Sequence, residues 1–215
     1  MRGARHGRIV NFSSDAFKLT RYRLNGETIV TPRLPMDGGS VIFKATEQLI
    51  LDGQLQAQAA GGGRGGLVDI AAARIAVVGA GHDTSGLAGY LILDADRLNT
   101  FGAASLLLGG VRSGVSQGLG VEVTADSVVV RNDENSALTG PELILAARDE
   151  VTVAAGSVLR AKGEIAGGTG DLIMKPNVPE QLNDNGTSWD PSDDYVIPAR
   201  DWGALIRLSN GDAAK

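Results

Sequence analysis

The segment LVDIAAARIAVVG, residues 67–79, decides the expected fold. Val68, Ile70 and Ala72 point one way along an alternating strand, and the alternation resumes at Ile75 after a two-residue step. A period of two is typical of half-buried strands, because successive side chains point to opposite faces. The alanine falls where the chain bends, and a larger side chain there would collide with a coil stacked above it. The segment therefore predicts two short strands joined by a tight corner.

The same pattern recurs along the chain in four further segments: VIFKATEQLILDG from Val41, YLILDADRLNTFG from Tyr90, VEVTADSVVVRN from Val121 and ELILAARDEVTVAAG from Glu142. Glycine-rich turns of unequal length separate them. A constant packed unit with variable loops is typical of solenoids, where each repeat buries its apolar face against its neighbours. We expect an all-β fold over residues 36–175, a parallel β-helix (β-solenoid) with irregular loops.

An α/β fold is the competing interpretation. ELILAARDEV follows Pro141, and proline is favoured in the first turn of a helix. Strands alternating with helices need spacers of roughly 10–15 residues with a helical period. The spacers here are glycine-rich and lack that period, so the solenoid is favoured.

The ends differ from the repeats. Residues 1–35 are basic and contain Asn25-Gly26 between alternating arms, which predicts a β-hairpin that could cap the stack. Residues 176–203 are polar and proline-rich and predict a loop insertion. Residues 204–215 begin with a return strand.

Composition narrows the class of protein. Aromatic residues make up only 4% of the 215 residues, and 30 are glycine, which suits a narrow core with frequent turns. The net charge of −5 disfavours nucleic acid or an anionic membrane as a partner. We expect no membrane-spanning segment, because no apolar run approaches about 18 residues. No secretory signal is visible either, so an exported protein would carry its signal outside this sequence.

Three units, GGRGGLVDIAAARIAVVG, GYLILDADRLNTFGAASLLLGG and PELILAARDEVTVAAGSVLRAKG, resemble the filamentous haemagglutinin family of large bacterial exoproteins. DWGALIRLSNGD, residues 201–212, is similar to segments found late in such proteins. The resemblance covers residues 36–175 and 200–212. It rests on the recurring pattern of strands and turns and on no catalytic motif. It implies a right-handed β-helix, two-partner secretion through an outer-membrane transporter, and a role in adhesion at the cell surface or after secretion. The family's N-terminal secretion domain has no counterpart here, which favours an internal fragment.

The sequence gives little support to a nucleotide-binding site or a catalytic triad. ARIAVVGAGHDTSG imitates a dinucleotide-binding turn, but Thr84 stands where the third glycine is needed and no helix has room to follow. His82, Asp83 and Ser85 are neighbours, yet a triad requires a spatial arrangement that sequence proximity does not supply. With no cysteine and two distant histidines, we expect no catalytic residue, no cofactor and no metal site.

Carboxylates give the alternative function. Asp94 and Asp96 are two residues apart on one predicted strand and would share its outward face, near Asp69 and Asp126 of neighbouring coils. Such a face could serve a polysaccharide lyase or glycosidase, or bind Ca²⁺. A solvating role is favoured over both.

The insertion 176–203 is the best candidate binding surface. Aromatic side chains stack on sugars and anchor protein contacts, and this insertion combines them with acidic residues: Trp189, Tyr195, Trp202, Asp190, Asp193 and Asp194. The alternative is that the aromatic residues cover the open side of the rod. We therefore expect a structural and adhesive rod segment whose loops contact a host or bacterial cell-surface glycan or protein.

Overall fold

The computed structural model describes residues 36–46, 49–50, 53–115, 118–163, 165, 172–175, 180–186, 188–198 and 203–209. The predicted hairpin around Asn25-Gly26, the rest of segment 1–35 and Trp202 lie outside these described residues. Among the described residues, no helix has the length and apolarity needed to cross a membrane.

The described chain is all-β, with sixteen strands and one five-residue helix, α1 (Ala95–Asn99). The strands are β1 (Ser40–Lys44), β2 (Leu67–Ala71), β3 (Arg74–Val78), β4 (Leu91–Asp94), β5 (Ser105–Leu108), β6 (Gly110–Val115), β7 (Gly118–Val123), β8 (Ser127–Arg131), β9 (Leu138–Gly140), β10 (Glu142–Ala147), β11 (Glu150–Val153), β12 (Leu159–Ala161), β13 (Leu172–Met174), β14 (Gln181–Asn183), β15 (Tyr195–Ile197) and β16 (Ala204–Ser209).

Two sheets of mainly parallel strands organise the fold. The first has the order β1-β2-β5-β10-β16, in which only the last pairing is antiparallel. The second has the order β11-β8-β3-β4 and is parallel throughout. Three smaller sheets pair β12 with β9, arrange three strands in the order β13-β7-β6, and pair β14 with β15. Strands distant in sequence are thus neighbours.

The two large sheets share one apolar core. In the first sheet, register places Phe43, Ile70, Leu108, Leu145 and Ile206 in one row across the strands. In the second, another row contains Leu91, Ile75, Val128 and Val151. Both rows belong to a single cluster of packed side chains. Ala72, Ala95, Ala125 and Ala147, four of the five predicted corner alanines, are buried in the same cluster. The fifth, Ala45, packs against the cluster but is only partly buried.

The repeats at Tyr90 and Val121 are assigned differently from the prediction. β4, the first strand of the Tyr90 repeat, pairs with β3 in the second sheet, whereas the first-sheet strand after β2 is β5. β7, the first strand of the Val121 repeat, forms a hairpin with β6 outside both large sheets. Alternation identifies a strand but not its partner, because any strand with one apolar face satisfies the same pattern. β4 therefore does not take the place in the first sheet that the repeat pattern predicted for it.

The segment after Pro141 is a strand, not a helix. All six residues of β10 are buried, although one face of the strand points away from the shared core. On that outer face Ile144 and Ala146 pack with Val121 and Val123 of β7, and Leu172 and Met174 of β13 lie against them. The β6–β7 hairpin and β13 thus form a second layer over the first sheet, which explains why the strand is apolar on both faces.

Candidate binding surface

The insertion contains an antiparallel ribbon built from β14 and β15. Leu182 lies directly opposite Val196, and Asn183 lies opposite Tyr195. Asn185 and Gly186 follow β14 with positive φ angles of 48° and 78°. Asparagine and glycine are the residues that adopt this left-handed conformation most readily, so the local sequence ends β14 at a sharp turn.

Large apolar side chains of this ribbon face solvent. Trp189 in the connecting loop is 80% exposed, and Leu182, Val196 and Tyr195 are 66%, 53% and 52% exposed. Since Leu182 and Val196 are cross-strand partners, they form an apolar pair on one face of the ribbon. Contiguous exposed apolar groups mark a contact surface more often than isolated ones do.

The acidic residues of the loop fold the loop itself. Asp190 accepts hydrogen bonds from the hydroxyl of Ser192 at 2.6 Å and from its backbone N–H at 3.0 Å. These bonds hold the pKa of Asp190 below its ordinary value, the hydroxyl bond contributing most, so the group is charged at neutral pH. Asp193 accepts from the Asn185 side chain at 3.3 Å, and the Asn183 side chain donates to the Tyr195 hydroxyl at 2.8 Å.

The structure does not bring the predicted acidic face together. β4 ends at Asp94, whose carboxylate caps α1 by accepting from the Arg97 N–H at 2.8 Å, and Asp96 lies within that helix. The prediction that Asp94 and Asp96 share one strand face is therefore wrong, because aspartate favours a helix N-cap over a strand. Asp126 lies 3.4 Å from Arg148, and Asp69 is buried elsewhere. Among the described residues, no three His, Cys, Asp or Glu side chains are grouped to hold a metal ion.

His82 meets partners that its sequence neighbours did not indicate. Its Nε2 lies 3.3 Å from the Asp133 carboxylate, and the Ser136 hydroxyl donates to the same carboxylate at 3.0 Å. The sequence did not indicate Asp133 and Ser136, because a segment distant along the chain supplies them. In a nucleophilic triad the serine hydroxyl bonds the histidine. Here Ser136 bonds the carboxylate, so the arrangement secures a loop and activates no nucleophile.

The neighbouring loop acids are held in the same way. Ser85 donates both its hydroxyl and, at 2.8 Å, its backbone N–H to Asp83, and these bonds lower the pKa of Asp83. The backbone N–H and then the hydroxyl of Ser136 lower the pKa of Asp133. Both carboxylates therefore act as turn caps, and His82, Asp83 and Ser85 do not converge on a common point.

A buried charged cluster was not foreseen from the sequence. The side chains of Asp69 and Arg112 are 2% and 5% exposed, and the Arg112 guanidinium donates to Asp69 and, at 2.5 Å, to the Ser105 hydroxyl. Ser105 in turn donates to Glu142, which also accepts from Arg207 at 2.8 Å. Asp69 sits within the apolar segment LVDI, so nothing in the local pattern distinguishes it from a solvent-facing residue.

Burial dominates the electrostatics of this cluster. It raises the pKa of Asp69 against the opposing effect of Arg112, and it lowers the pKa of Arg112 against the effects of Asp69 and Glu142. Each charged group is disfavoured by itself and is stabilised by its partners. Because the contacts run from β6 to β2, β5 and β10, the cluster fastens the hairpin layer onto the first sheet.

Comparison of the chain with protein-family models, with curated proteins and with solved structures gave no match.

Proposed function

We propose that this chain is a segment of a right-handed parallel β-helix that serves as a structural and adhesive rod in a bacterial surface-located or secreted exoprotein. The rod carries no catalysis. Its loops and the β14–β15 ribbon contact a glycan or protein on a host or bacterial cell, and export uses an outer-membrane transporter, as the resemblance to the filamentous haemagglutinin family implies.

The stacking of the strands carries this proposal. Four strands of the first sheet and four of the second are parallel neighbours, and their inward rows meet in one continuous core. Such an arrangement extends by adding coils, because each coil buries its apolar face against the next. The loops between coils do not take part in this core packing, so they are available to contact other molecules.

The alternative is a carbohydrate-active enzyme, and the geometry gives it little support. Glycoside cleavage uses two carboxyl groups that face each other across the scissile bond. In the described structure Asp94 and Asp126 are occupied by a helix cap and an ion pair. The described lining of the cleft of about 530 Å³ beside Phe101 includes Gln54, Gln58 and Arg97 and contains no acidic residue. A neighbouring pocket that Phe101 also lines contains one described carboxylate, Asp94, which is the helix cap.

Adhesion and cleavage can be tested together. The purified chain is coated on beads, which are presented to epithelial and bacterial cells and to arrays of glycans, with beads carrying heat-denatured chain as the control. We expect selective retention by native beads and no new chain ends when the chain is incubated with polyuronates, with or without Ca²⁺. Absence of retention on every surface would reject the adhesive role. New chain ends that disappear in Asp94→Asn, Asp96→Asn would establish the enzyme instead.

A further inference from the structure

We propose that the β14–β15 ribbon is the docking site for an extended, positively charged segment of a partner protein, which adds to the ribbon as a third strand. This inference rests on the proposed adhesive function and names the chemistry of its partner.

The edges of the ribbon are the first argument. Within the part of the chain that the structure describes, β14 and β15 pair only with each other, so each has one edge without a described strand partner. Their sequences, Gln-Leu-Asn and Tyr-Val-Ile, contain no charged residue and no proline. Natural proteins protect exposed edges with lysine, proline or bulges, because free backbone groups accept another strand. Each strand has only three residues, and shortness is itself one such protection, but neither strand carries lysine or proline, so an extended segment can still add along this short edge.

The exposed apolar face is the second argument. A two-stranded ribbon is marginal in water, and a third strand that covers side chains increases its stability. Leu182 and Val196 lie side by side on one face, and Trp189 projects from the connecting loop. An added strand would place every second side chain beside this apolar pair on the same face, which selects a partner with apolar residues at alternate positions.

The negative charge around the ribbon is the third argument, and it indicates that the partner is positively charged. Residues 180–198 contain five carboxylates and no Lys, Arg or His: Glu180, Asp184, Asp190, Asp193 and Asp194. The carboxylates lie outside the two strands, at β14's start and in the connecting loop. Two copies of this ribbon would repel each other, as would an acidic polysaccharide, whereas Lys or Arg in the partner would be attracted.

Synthetic peptides test the inference on the full chain. The probe is an acetylated, amidated ten-residue peptide of alternating Val and Lys, and the comparison peptides are a Val/Glu analogue and a Val/Lys analogue with N-methyl groups on alternate residues. Isothermal titration calorimetry is run at low and at physiological salt. We expect binding of the Val/Lys peptide alone, weakened as salt screens the charges. The N-methylated analogue fails because it cannot form the strand hydrogen bonds.

Matched variants locate the site. Val196→Thr places a hydroxyl on the apolar face, and Val153→Thr makes the same change on β11, where Val153 is also exposed. The triple change Asp190→Asn, Asp193→Asn, Asp194→Asn removes charge and retains carbonyl acceptors for the loop. We expect Val196→Thr and the triple variant to weaken binding about tenfold, in the range of a few surface contacts, and Val153→Thr to leave it unchanged.

Each result bears on one of the two proposals. Equal binding of the Val/Lys and Val/Glu peptides, or equal effects of Val196→Thr and Val153→Thr, would overturn the docking site. Ribbon-dependent dimers in analytical ultracentrifugation would identify a second copy as the occupant and would also overturn it. If native beads still adhere to cells while peptide binding fails, only this inference is rejected; loss of adhesion itself rejects the proposed function.

Discussion

Arg112 on β6 holds Asp69 on β2 through both its backbone and its side chain. Its N–H donates to Asp69 Oδ2 at 2.8 Å, and its guanidinium donates to Oδ1. The two residues are 43 positions apart, and the contact joins the hairpin layer to the first sheet. Because both groups are buried, removing either one leaves the other without its partner away from water, which strongly lowers the free energy of unfolding.

We expect Asp69→Ala to lower the free energy of unfolding by about 3–5 kcal/mol, because it leaves Arg112 charged and without its partner in a buried site. Urea denaturation followed by circular dichroism measures the change. Replacing the pair with Asp69→Leu and Arg112→Met together should restore part of the loss. The matched control is Asp126→Ala, whose partner Arg148 is about half exposed and whose loss should be below about 1 kcal/mol. Equal losses for the two alanine variants would contradict the assignment.

Asp133 should titrate below its ordinary value of 3.8, chiefly because of the backbone N–H and the hydroxyl of Ser136. A lowered folded-state pKa stabilises the protein above the unfolded-state value, and this contribution is lost as pH falls through the folded-state pKa. Carbon-detected NMR titration of the carboxyl group measures the shift. Ser136→Ala should raise the pKa of Asp133 without returning it fully to 3.8, because the backbone bond persists. No change in Ser136→Ala would show that the hydroxyl bond is absent.

Gly109 lies at a corner that has no room for a side chain. Its φ is +93°, and an added Cβ would lie 2.0 Å from the carbonyl oxygen of Ala146 on the next strand of the sheet. We expect Gly109→Ala to cost at least about 3 kcal/mol by strain and displacement. Gly156→Ala is the control, since φ is +82° there but no atom lies within 4 Å, and strain alone should cost about 1–2 kcal/mol. Thermal and urea unfolding should rank the two variants in that order.

Leu145 and Leu182 allow a comparison of the core with the binding surface. Leu145 is fully buried in the shared core, whereas Leu182 is mostly exposed on the ribbon. We expect Leu145→Ala to cost about 2–5 kcal/mol through lost packing and a residual cavity. Leu182→Ala should change stability by less than about 0.5 kcal/mol while weakening binding of the cationic peptide. A large stability loss in Leu182→Ala would mean that the ribbon packs against the body of the protein.

Much of the strand content could be predicted from alternation. LVDIA and RIAVV form β2 and β3, and ELILAA and EVTV form β10 and β11, as two-residue periodicity indicated. The corner alanines could also be predicted, because only a small residue fits where a strand leaves the core. The partners of β4 and β7 could not be predicted, since alternation is the same whichever sheet receives the strand.

The candidate site could likewise be predicted only in part. Aromatic residues in a polar, proline-rich stretch pointed to Trp189, Tyr195 and Trp202. Trp189 in the connecting loop and Tyr195 on β15 are exposed, and Trp202 lies outside the described residues. The predicted grouping of Asp94 with Asp96 failed because the aspartate that ended the strand could also cap a helix turn. The pairing of His82 with Asp133 required knowledge of which distant segments of the chain are neighbours.

The sequence by itself determined that this protein is built of short strands, where its corners lie and which residues are apolar, because these follow from local periodicity and side-chain volume. Only the tertiary structure decided which strands are neighbours, that β10 is covered on both faces and that Asp69 is buried against Arg112. Those outcomes depend on contacts between segments tens of residues apart. Their energies come from burial and from charge pairing across layers, and no local pattern of residues records them.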